Sequence, residues 1–128
     1  MNTQLEIVMK IIDDISIYEL IGEIDETNAD NTFKEIFDTF FGKKIIYDLG
    51  QLTHGNSKFI GYLINMNEFI EEKGGKMYIA NCIDPLKDIL ELAGIDKMIN
   101  MSDTLEKAII EINSDNTPTL FTRIQQEN

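Results

Sequence analysis

The hydrophobic period changes abruptly after the first two dozen residues, and that change constrains the fold more than any other feature. Leu5, Ile7, Met9 and Ile11 recur at every second position, so they fall on one side of an extended strand. Asp13-Asp14 marks a turn, and Ile15 to Ile24 reads as a second strand with Ile15, Ile17, Tyr18 and Leu20 near its centre. So short a link predicts an antiparallel hairpin, because a parallel pair needs a long crossover. The spacing then becomes helical. Thr27-Asn28 supplies a cap, Ala29, Phe33, Ile36, Phe37 and Phe40 share one face, and Gly42 stands where a left-handed stop is expected.

Strand and helix then alternate to about residue 112. Lys43 to Leu49 is a short apolar strand, and Gly50 to Gly55 reads as a loop. A long helix runs from Asn56 to about Lys73 with Phe59, Tyr62, Leu63, Met66 and Ile70 as its stripe, and Gly74-Gly75 stops it. Lys76 to Cys82 is a strand. Asp84-Pro85 places a cap and a first-turn proline before Leu86, Ile89, Leu90 and Ala93, which face inward. Met98 to Asn100 forms a brief strand, and Leu105, Ala108, Ile109 and Ile112 line a last helix. The order β-β-α-β-α-β-α-β-α predicts an α/β fold with four α-helices on one mixed β-sheet. Its opening hairpin is antiparallel, and its later strands are parallel with right-handed crossovers. Residues 1–113 make one domain. Residues 114–128 are polar, contain Pro118, and read as a tail with Leu120-Phe121 as an anchor.

Composition narrows the function. The 128 residues suit a single domain, and 43% apolar content is enough for a core. The formal charge of −12 makes nucleic acid and anionic membranes poor partners. No apolar run reaches the roughly 18–20 residues of a membrane span, and the start lacks a secretory signal. With Cys82 as the single cysteine, the expectation is a cytoplasmic protein without an internal disulfide. His54 has no second histidine or clustered ligands, so neither a metal nor a cofactor is expected. A Ser57–His54 nucleophile lacks the strand-turn Gly-x-Ser-x-Gly context. The expectation is a binding protein, not an enzyme.

Five stretches in register resemble the STAS domain of the anti-sigma factor antagonist family. They are Leu20-Ile21-Gly22-Glu23-Ile24-Asp25, Ile45-Ile46-Tyr47-Asp48-Leu49, Gly74-Gly75-Lys76-Met77-Tyr78-Ile79, Ile89 to Ile95, and Asp103 to Ala108. The resemblance covers residues 4 to 112 and implies a STAS-type fold. It also implies binding to an anti-sigma factor of the serine-kinase type, with a serine phosphatase reversing the modification. The family's phosphoacceptor serine falls on Ser57. Its usual flanking acid, second hydroxyl and glycine are here Asn56, Lys58 and Phe59, a divergent motif. The partner-binding set implied is Asp25, Thr53, His54, Asn56, Ser57 and Lys58. An unphosphorylated scaffold, or an accessory subunit of a signalling or transport assembly, is the alternative within the fold.

Physical chemistry supports a switch at Ser57 independently. Asn56 caps a helix as well as aspartate does, and a first-turn position offers free N–H groups and the positive dipole end. A phosphate would add about −1.5 to −2 charges, which a docked partner would have to desolvate. Phe59 has a core or a partner-anchoring role; Lys58 is a solvated charge or offsets a phosphate. Asp48 raises a rival, a phosphoaspartate receiver with Asp13-Asp14 as its acidic pair and Lys97 as its lysine. That reading requires a helix where Ile15 to Ile24 reads as a strand.

Overall fold

The computed structural model describes residues 5–114. The expected tail, with Pro118 and Leu120-Phe121, lies outside the described residues. Strands β1 (Leu5–Ile12) and β2 (Ile15–Ile24) form the antiparallel hairpin, with Ile12 opposite Ile15 and Asp13 turning the chain at φ 55°. Strands β3 (Lys44–Gly55), β4 (Lys76–Ala80) and β5 (Asn100–Ser102) add in parallel, giving the order β1-β2-β3-β4-β5. Helices α1 (Ala29–Thr39), α2 (Ser57–Glu72), α3 (Leu86–Leu92) and α4 (Leu105–Ser114) complete the α/β fold.

Alternation along β2 divides the core in two. Tyr18, Leu20 and Ile24 join Ile45, Tyr47, Leu49, Ile79 and the inward sides of α1, α2 and α3. Ile15 and Ile17 face the other way and pack with Ile46, Tyr78 and the Ala108–Ile112 side of α4. The middle of the sheet is therefore apolar on both sides, as expected for parallel strands covered by helices.

Several expectations fail for identifiable reasons. Gly50 to Gly55 is not a loop. Glu19 lies opposite Asp48 but Ile21 opposite Gln51, and Gly22 lies opposite Leu52 but Glu23 opposite His54, so β3 takes in two extra residues as it follows β2 to Gly55. A ten-residue β2 would otherwise leave backbone groups unpaired. Asp48 supports the first of these irregularities: its Oδ1 accepts from Gly50 N at 3.1 Å and from Asn81 Nδ2 at 3.2 Å. Ile11 is exposed while Ile12 turns to the α4 side, so the alternation on β1 ends at Met9. Phe37 is not core; it lies edge-on to Phe69, 5.5 Å between ring centres, at the surface. Pro85, not Asp84, is the residue preceding α3. Ile89 and Ala93 stay outside, and Ile95 and Ile99 fill that part of the core instead. The last strand comes two residues later than Met98.

The receiver reading is overturned. Ile15 to Ile24 is a strand, and Ile15 lies opposite Lys44. Asp13-Asp14 therefore sits by the start of β3, where Asp14 pairs with Lys44 at 3.3 Å. Asp48 lies further along that strand and is 8% exposed.

Candidate functional site at the start of helix α2

Pairing of Ile24 with Gly55 brings the ends of β2 and β3 together beneath the start of α2. Gly55 is required there, because a Cβ would come within 2.4 Å of the Phe59 ring. Asn56 then leaves the strand in an extended conformation, and its Oδ1 accepts from Phe59 N at 3.0 Å. This is the N-cap that the sequence predicts. Ser57 follows as the first helical residue and is exposed. Phe59 turns down into the core, fully buried, 5.8 Å from the Phe33 ring centre. Its core role is thus the one realised.

All six residues expected to meet a partner lie at this end. Thr53 and His54 are exposed on the last turn of β3 (not on a loop), and the Thr53 hydroxyl donates to Gly22 O at 3.0 Å. Asp25 follows β2 and accepts from Thr27 N at 2.8 Å and from the Thr27 hydroxyl at 2.6 Å. Asn28, expected to cap α1, instead ties down the strand end, accepting from Asp25 N and donating to Glu23 O.

Lys58 is held in a way neither sequence reading foresaw. Its Nζ reaches both carboxylate oxygens of Asp30, at 3.1 and 3.0 Å, linking α2 to the first turn of α1. The Tyr62 hydroxyl donates to Asp30 Oδ1, and the Tyr62 ring stacks on Phe33 at 4.7 Å and 13°. The Tyr62 and Lys58 hydrogen bonds hold the Asp30 carboxyl below its ordinary value. Asp30 in turn holds the Lys58 ammonium and the Tyr62 hydroxyl above theirs. Lys58 and Tyr62, four apart on α2, are legible as neighbours. Asp30, 28 residues before Lys58, has no local signal.

The chemistry available here is recognition: hydroxyls, an imidazole and open helix N–H groups on a rigid base. Among the described residues no three His, Cys, Asp or Glu are grouped to hold a metal ion, and no helix is long and apolar enough to cross a membrane. Burial pushes the half-buried Cys82 thiol up to about 11, which leaves it a weak nucleophile.

Comparison with known proteins agrees with this architecture. A Thermotoga maritima protein named "Putative anti-sigma factor antagonist" is 27% identical over 106 residues, covering 80% of this chain and 94% of that protein. A crystal structure so described from the same organism superposes with a TM-score of 0.77 at 26% identity, covering 84% of this chain and 94% of that one. The unphosphorylated anti-sigma factor antagonist SpoIIAA shares the fold, with a TM-score of 0.74 at 17% identity over 88% of this chain and all of that one. The STAS domain family matches residues 6–108, and this chain belongs to that family.

Proposed function

We propose that the chain is an anti-sigma factor antagonist acting by binding, not turnover, and that it docks a serine-kinase-type anti-sigma factor through the exposed start of α2. Phosphorylation of Ser57 by that partner releases it, and a serine phosphatase restores the binding form. The observation that carries the reading is the placement of Ser57 itself. It is exposed, first in a capped helix, and at the same end of the paired strands β2 and β3 as Asp25, Thr53, His54 and Asn56. The names of the relatives point the same way. A cytoplasmic location follows from that role.

Covering a neutral serine costs a partner little, whereas covering a phosphate without a paired cation is expensive. Lys58 does not offset such a charge for free, since it would have to leave Asp30. Ser57→Asp should therefore lower partner affinity by about 10²-fold or more, each factor of ten being about 1.4 kcal/mol. Ser57→Ala should bind normally and resist kinase inactivation. Titration calorimetry against the partner captured from the native cell measures both. Equal affinities for all three forms would remove the switch and leave an unphosphorylated scaffold.

A further inference from the structure

Strand β1 forms one edge of the sheet, and no strand among the described residues pairs with its outer side. The Asp13-Asp14 turn holds two residues, so Ile12 and Ile15 exchange backbone hydrogen bonds and the exchange alternates along the ladder. Glu6, Val8, Lys10 and Ile12 thus point their N–H and C=O groups toward β2, and Leu5, Ile7, Met9 and Ile11 point theirs outward. Free edges of this length are usually blunted by proline, by a bulge or by clustered charge. β1 has eight residues, no proline and no register shift. Its charges, Glu6 and Lys10, are one of each sign, exposed, and without an ion-pair partner among the described residues. Two apolar side chains also stand open on it, Val8 at 38% and Ile11 at 61% exposed.

We propose that β1 pairs antiparallel with β1 of a second copy of this chain, about a two-fold axis through Val8. That register sets Ile7 opposite Met9 and Leu5 opposite Ile11, so every outward backbone group of these residues meets its complement. Glu6 falls opposite Lys10 twice by symmetry, Val8 meets Val8, and Ile11 is laid beside Leu5. A shift by one residue puts the outward groups out of phase. A shift by two in either direction shortens the ladder and sets Glu6 or Lys10 against Val8. The charge pattern is therefore self-complementary in one register. The axis is normal to the sheet and turns the copies head to tail, so the two α2 starts lie at opposite ends and both stay open.

Sedimentation equilibrium of the full chain tests this at up to about 500 µM protein, in about 150 mM salt to screen the net repulsion between copies. The wild type should dimerise. Glu6→Lys and Lys10→Glu should each weaken the dimer by tenfold or more, since like charges then face one another twice. An equimolar mixture of these two variants should associate again, and so should the double variant Glu6→Lys/Lys10→Glu, because every introduced charge then faces its opposite. Both positions are exposed, and circular dichroism checks that each variant is folded. A wild type that stays monomeric, single variants that dimerise unchanged, or a mixture that fails to recover would each overturn the proposal.

Discussion

Tyr47 carries a hydroxyl into the larger core, where it finds no hydrogen-bond partner among the described residues. Its neighbour Tyr18 shows the usual solution, with its hydroxyl 2.8 Å from Thr39 Oγ1. Burial holds the Tyr47 phenol well above the ordinary range, so it stays neutral but unsatisfied. An unmet buried hydroxyl costs about 1–3 kcal/mol, so Tyr47→Phe should raise stability by roughly 1 kcal/mol in urea unfolding. The ring contacts to Tyr18 and Phe33, both at 6.3 Å, would remain. Gly55 is the opposite case. A methyl group there overlaps the Phe59 ring, and Gly55→Ala should cost about 1–3 kcal/mol. Adding Phe59→Leu should give a loss smaller than the sum of the two single losses, because the residues share one space. An additive result in the same urea titrations would rule out the clash as the cause.

At the scale of elements, the Lys58–Asp30–Tyr62 cluster joins the first turn of α1 to the first two turns of α2, beginning at the residue after Ser57. All three groups are solvent-facing, so the stabilisation is modest and screened. Its direction with pH is nevertheless defined. Asp30 is lowered on folding, so its contribution is present above the ordinary carboxylate value of 3.8 and is lost as pH falls through the folded value. Lys58 and Tyr62 are raised, so theirs is present below 10.5 and 10.0 and is lost as pH rises through their folded values. Stability should therefore show a plateau from about pH 5 to 9 whose acid shoulder shrinks in Asp30→Asn, read from urea midpoints across pH. An unchanged acid shoulder would assign it to other carboxylates. The cluster also explains why this part of the site was only half legible. Asn56 announces the helix start through its own chemistry, whereas Asp30 reaches Lys58 only once α1 and α2 are packed side by side.

For the molecule as a whole, a charge of −12 on 128 residues is a standing repulsion that folding concentrates. The ion pairs between described residues are few and mostly solvent-exposed, so they do little to relieve it. The melting temperature should rise by several degrees between about 10 and 200 mM sodium chloride, as the screening length contracts to below about 10 Å. Scanning calorimetry measures this, and a flat or falling profile would mean that the pairs outweigh the repulsion. Stability against that load comes from a sheet buried on both sides. Ile15, Leu20, Ile24, Ile45, Ile46 and Ile79 are all fully enclosed.

Residue order alone disclosed what depends on short-range periodicity and on the stereochemistry of single residues. The hairpin, the sequence of strands and helices, the Asn56 cap and the position of Ser57 all belong to that class, because each is set within a few bonds of the residue that signals it. Side-chain burial on α3, the continuation of β3 past Gly50 and the capture of Lys58 by Asp30 were decided only by the packed molecule. In each, the deciding neighbour is distant in the chain: β2 offers Ile21–Ile24 to β3, Ile95 and Ile99 displace Ile89 and Ala93, and α1 presents a carboxylate to α2. Local pattern carries no record of such partners, because backbone pairing, volume and charge are satisfied across space and not along the chain.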